Sequence, residues 1–109
     1  MRIYLPLSYD LLAQAAESGS VPAEIEKVVA EDVSEEAEYA ALMAAAVVSA
    51  GLSDAPARRV VLAADVTDVA GDVPRRAWAA VHVDVDGGAD PDDDLSWYAV
   101  QEIADLLAT

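Results

Sequence analysis

With 21 Asp and Glu against 6 Lys and Arg in 109 residues, the chain carries a formal net charge of -15, a balance common in disordered segments. Yet 55% of its residues are apolar, so the sequence reads as a folded domain under an acidic shell. That shell repels phosphates and sets aside nucleic acid and anionic membranes as partners, favouring a basic protein or a cation.

Cysteine is absent, which removes disulfides, thiolate metal sites and a Cys nucleophile and suits a reducing cytoplasm. Met1–Pro6 lacks the apolar stretch of a signal peptide, and no run approaches the ~18 apolar residues of a membrane span. A cytoplasmic location is therefore expected. The length suits one domain, 1–109. Phe is missing and Ala abundant, which predicts closely spaced elements rather than a roomy pocket.

Arg2–Leu7 alternates Ile3, Leu5 and Leu7 with Arg2, Tyr4 and Pro6, the period of a strand. Ser8 is placed to cap a helix over Asp10–Glu17, and Gly19 to close it. Ser20–Ala23 reads as a turn. Val28-Val29-Ala30 is read as a short strand, although Ile25, Val28 and Val29 also fit a helix. Asp32-Val33-Ser34-Glu35 carries a capping-box pattern and opens a helix over about Ser34–Ala50, ended by Gly51. Glu35, Glu36 and Glu38 suit the positive end of its dipole. Beyond Tyr39 this helix has almost no polar face, which predicts burial on more than one side or a subunit interface.

Leu52–Ala57 reads as a loop. Arg58–Val66 is apolar on both faces, the pattern of a central strand covered on both sides. Thr67–Arg76, with Gly71 and Pro74, is a loop. Ala77–Asp86 sets Val81, Val83 and Val85 against His82, Asp84 and Asp86, forming a hairpin with the preceding strand. Gly87–Asp94 is an acidic turn, and Leu95–Leu107 a final helix. The order β-α-β-α-β-β-α predicts an α/β fold, bordering on α+β, with one mixed sheet of about four strands and three helices.

Several segments resemble an uncharacterised family of small actinobacterial proteins, a domain of unknown function. They are Met1-Arg2-x-Tyr4-x-Pro6, Glu38–Leu42, Arg58–Val66, Ala79–Asp84 and Trp97-Tyr98 with Gln101-Glu102. The chain is shorter than that pattern between the first two helices and in the loops Thr67–Arg76 and Asp86–Leu95. The resemblance implies no activity and carries no catalytic residue across.

The chemistry-bearing residues are few. His82, Asp84 and Asp86 share a strand face, so His82 and Asp84 could form a metal pair or an oriented general base. With a single His in the chain, the plainer reading is a surface His beside solvating aspartates. Asp84–Asp94 invites comparison with a calcium loop, but Gly88, Ala89 and Leu95 stand where that pattern needs an oxygen ligand, a Gly and a Glu. We read it as a solvated linker in which Asp93 or Asp94 caps the last helix. Trp97 with Gln101, and Tyr98 with Glu102, would share a helical patch at i, i+4, mixing aromatic and polar groups as binding surfaces do. Arg58-Arg59 and Arg75-Arg76 are expected to neutralise nearby acids.

These residues predict a non-enzymatic protein-binding or interaction module, homo-oligomeric or bound to a protein partner. No catalytic residue, metal or cofactor is expected. The binding candidates are Trp97, Tyr98, Gln101, Glu102, His82 and Asp84. The alternatives are a cation-dependent or acid/base enzyme centred on His82 and Asp84, and an acidic mimic of nucleic acid.

Overall fold

The structure is a computed structural model that describes residues 1–52, 58–84, 86–87 and 90–108. Six residues of alternating character form β1 (Arg2–Leu7), which pairs antiparallel along its whole length with β4 (Val60–Asp65). β4 pairs in turn with β6 (Trp78–Val83), and β6 with a short strand, β7 (Ser96–Tyr98). On the far side of β1 lies β3 (Val28–Val29). The main sheet thus has five strands in the order β3-β1-β4-β6-β7, and β2 (Ser20–Val21) and β5 (Val73–Pro74) form a separate ribbon.

The expected count of four strands is too low, and every pairing among the described residues is antiparallel rather than mixed. Alternating helices and strands suggested crossovers between parallel strands. Instead α1 (Tyr9–Ser18) hands the chain to β2 in the small ribbon, and β3 then enters beside β1 from the opposite direction.

The helix ends follow local rules. Ser8 accepts from the Leu11 amide at 3.1 Å, and Gly19 closes α1 at φ 81°, where a side chain would be strained. α2 (Glu35–Ala50) is capped by Ser34, which accepts from Ala37 N at 3.1 Å. Asp32 does not cap the helix. Its carboxylate instead accepts from the Ser34 amide at 2.7 Å and turns the chain into the cap.

β4 is the expected central strand, with Val60 through Ala64 inaccessible to solvent. One face of the sheet (Ile3, Leu5, Val60, Leu62, Val81, Val83) packs on Leu12 and Ala15 of α1 and on Ile103 of α3 (Ile103–Leu107). The opposite face (Tyr4, Val61, Ala63) meets Ala41, Ala45 and Ala46 of α2. Alanine on both sides of that second interface lets helix and sheet approach closely. Ser49 sets the approach: its buried hydroxyl donates to Leu7 O at 2.6 Å and accepts from Val60 N at 2.8 Å.

The continuous helix over Leu95–Leu107 does not form. Ser96–Tyr98 is strand β7, Val100–Glu102 is a turn of 3-10 helix, and α3 spans only Ile103–Leu107. Trp97 and Tyr98 have strand-favouring side chains, and the edge of β6 offers them a backbone ladder that the helical spacing alone cannot match. Val85, Gly88, Ala89 and most of the Leu52–Ala57 loop lie outside the described residues.

Candidate functional site

Strand β7 divides the residues expected to form one patch. Trp97 stands opposite His82, on the sheet face that α2 covers further along, whereas Tyr98 stands opposite Val81 on the other face. Trp97 is 61% exposed, the bulkiest apolar side chain in solvent among the described residues. Gln101 and Glu102 are exposed on the 3-10 turn, so neither forms the i, i+4 pair with an aromatic that a helix would make. Glu102 instead turns back, its Oε1 accepting from Ala99 N at 2.9 Å.

Tyr98 and Glu102 do come together in a groove of about 500 Å³ between α1, α3 and the sheet. Val83 and Leu106 supply apolar lining, and Tyr9 and Tyr98 aromatic lining. Arg58, Glu102 and Asp105 complete it with charge. The alanine-rich composition predicted no such space. Its lining comes from α3 and from α1 and β7, where tyrosines rather than alanines stand.

The Arg58 guanidinium lies 3.9 Å from the centre of the Tyr9 ring, a cation–π stack. Burial pushes the Tyr9 hydroxyl's pKa up, Arg58 lowers it, and Tyr98 and Asp84 add to the rise, with a raised value the net result. Tyr9 therefore stays protonated at neutral pH and can serve as a hydrogen-bond donor. Tyr9 and Asp105 escaped the sequence reading, and Arg58 entered it only as a neutralising charge, because no spacing rule links residues so far apart in the chain.

The His82–Asp84 pair does not assemble. Asp84 is buried and held by Arg59 in a forked ion pair, Nε to Oδ2 at 2.8 Å and Nη2 to Oδ1 at 2.9 Å. Its Oδ2 also accepts from the Arg59 amide at 2.9 Å. A carboxylate so occupied offers little to a metal or to an imidazole. His82 is half-buried beside Tyr4, ring centres 6.5 Å apart, and burial followed by the charge of Arg2 lowers its pKa below 6.5. Among the described residues, no group of three or more His, Asp and Glu is arranged to hold a metal ion.

The described part of the acidic loop before β7, residues 90–94, is tied down by hydrogen bonds. Arg59 donates to Pro91 O at 3.2 Å and Asp93 O at 2.8 Å, and Tyr39 donates to Asp94 Oδ1 at 2.7 Å. Asp93 Oδ2 accepts from Asp90 N at 3.1 Å. Neither Asp93 nor Asp94 caps the last helix, which starts after the Ala99–Glu102 turn. Of the arginine pairs, Arg59 neutralises an acid as expected, and Arg75 lies over the Trp78 ring at 5.4 Å.

The chain belongs to a family of unknown function (DUF6912), whose model matches residues 1–107. No curated protein and no solved structure matches it. No helix among the described residues is long and apolar enough to cross a membrane.

Proposed function

We propose that this protein is a non-enzymatic binding module that engages another protein at the β7 end of its sheet. The observation that carries this reading is Trp97, held 61% exposed on a strand with no strand beyond it among the described residues. Exposing an indole has no benefit for folding, whereas Trp is among the residues most enriched at the centres of protein interfaces. On the other face of β7 lies the groove with Tyr98, whose mixture of aromatic and charged lining suits recognition better than bond-making. The acid/base alternative loses support because Arg59 occupies Asp84, the carboxylate it required.

The test is quantitative capture from the source cells with wild-type protein, Trp97→Ala and the control Val69→Ala, which alters an exposed apolar residue elsewhere. We expect Trp97→Ala to lose defined, saturable partners that Val69→Ala retains. Identical partner sets for all three proteins would defeat the reading.

Self-association is a second reading, favoured by α2. Its outer face presents Ala40, Ala44 and Val47 to solvent, with Val47 67% exposed. A second copy could cover that stripe.

A further inference from the structure

We infer that the open edge of β7 receives a basic, extended segment of a partner protein, added as a further strand of the main sheet. This rests on the binding reading above and specifies the partner's chemistry. A strand at the end of a sheet leaves backbone amides and carbonyls on its outer side for another chain to bond. Proteins normally shorten such edges or guard them with charge, Lys in particular.

The opposite edge shows that guard. β3 has only two residues and follows directly on Lys27, whose ammonium bonds the carbonyls of Ala23 and Ile25. β7, at three residues, is also short, but the charge that flanks it is acidic rather than basic. After Arg76 the chain contains eight Asp and Glu and no Lys or Arg. Asp84 is neutralised by Arg59. Asp90, Asp92, Asp93 and Asp94 precede the strand, and Glu102 and Asp105 follow it, all of them exposed.

This charge decides between occupants. Two copies pairing edge to edge through β7 in antiparallel fashion would set the aspartates before one strand against Glu102 and Asp105 after the other. Like charges placed opposite each other across a ladder are destabilising. A segment bearing Lys or Arg gains at both ends instead, and its charges would meet carboxylates whichever way it ran. Side chains at period two would alternate between the face of Trp97, where an aliphatic or cationic group can lie on the indole, and the face of Tyr98. Ladder hydrogen bonds would supply affinity, and the flanking acids would select sign.

The whole protein is titrated at low salt with a short acetylated peptide alternating Lys and Thr, which is basic, β-branched and soluble. Controls are the Glu–Thr counterpart and a Lys–Thr version methylated at every backbone nitrogen, which keeps the charge and cannot donate to a ladder. The expected result is binding of the Lys–Thr peptide alone, weakened by salt, with slowed amide exchange and shifted resonances centred on Ser96–Tyr98. Asp92→Asn and Asp105→Asn should each weaken it roughly two- to fivefold, the effect of one exposed ion pair.

The inference is overturned if the Lys–Thr peptide fails to bind, if its backbone-methylated version binds equally well, if the shifts centre on β3 or α2, or if β7 proves occupied by a second copy. Failure of the peptide while Trp97→Ala still strips cellular partners removes this inference and leaves the binding reading standing. Failure of both removes both.

Discussion

Arg59 holds Asp84 by its side chain and its backbone together. The guanidinium grips both carboxylate oxygens, the Arg59 amide donates to Oδ2, and the Asp84 amide returns a bond to Arg59 O at 3.0 Å. Both residues are at most 5% exposed. The pair closes the ladder where β4 begins and β6 ends, and the same guanidinium draws in Pro91 and Asp93. It thereby fixes the root of the loop that leads into β7.

Asp84→Ala should cost about 3–5 kcal/mol, because it strands a buried guanidinium rather than merely deleting an ion pair. Arg59→Ala should cost a similar amount, and the double variant clearly less than the sum. Denaturant melts of the four proteins measure this, and simple additivity would show that the pair is not coupled. The pH sign follows from Asp84's lowered pKa. Burial pushes that pKa up, but the hydrogen bonds and charge of Arg59 outweigh it. The pair's contribution is complete above the ordinary value of 3.8 and is lost as pH falls through the lower folded value.

Ser49→Ala removes one oxygen and orphans two backbone groups, the carbonyl of Leu7 and the amide of Val60. Leu7 and Val60 are register partners, so the loss falls at the end of the β1–β4 ladder. We expect about 1–3 kcal/mol of destabilisation with the fold retained. Amide exchange should accelerate first at Val60. An unchanged melt would mean that water replaces the hydroxyl at no cost.

Local chemistry was legible in the sequence: Ser8, Gly19 and Ser34 act at helix ends through atoms a few residues away, and β4 announces its burial by being apolar on both faces. β7 was not legible, because what makes Ser96–Tyr98 a strand is the edge of β6, a partner that periodicity within 95–107 cannot reveal. The His82–Asp84 pairing failed for a related reason. Period two would put both residues on one side of a strand, but β6 ends at Val83, and Arg59, 25 positions earlier, claims the carboxylate. Tyr98 and Glu102 were expected on one helical face and lie instead on a strand and a 3-10 turn. They meet in a groove whose other wall, Tyr9, comes from the opposite end of the chain.

His82 is the only side chain in the chain whose ordinary pKa lies near neutrality. Burial, and then the charge of Arg2, depresses it, so the unfolded chain binds a proton more readily than the folded one. Stability should therefore fall as pH drops from above 6.5 toward the lower folded value, and His82→Gln should flatten that slope. Imidazole resonances report the folded pKa directly. A value above 6.5 would reverse the sign and refute the assignment.

The exposed stripe on α2 and the edge of β7 predict opposite responses to salt. Contact between copies through Val47, Ala40 and Ala44 must overcome repulsion between chains of formal charge -15. Such a contact buries apolar area and gains nothing from charge, so screening should strengthen it. Docking of a basic segment at β7 depends on attraction, so the same screening should weaken it. Light scattering across a salt series should show mass increasing with salt in the wild type, with Val47→Asp abolishing the increase and Trp97→Ala sparing it. A strict monomer at high concentration throughout the series would leave α2 without a homotypic role. Association lost in Trp97→Ala but kept in Val47→Asp would move the contact between copies to β7 and contradict the charge argument made for that edge.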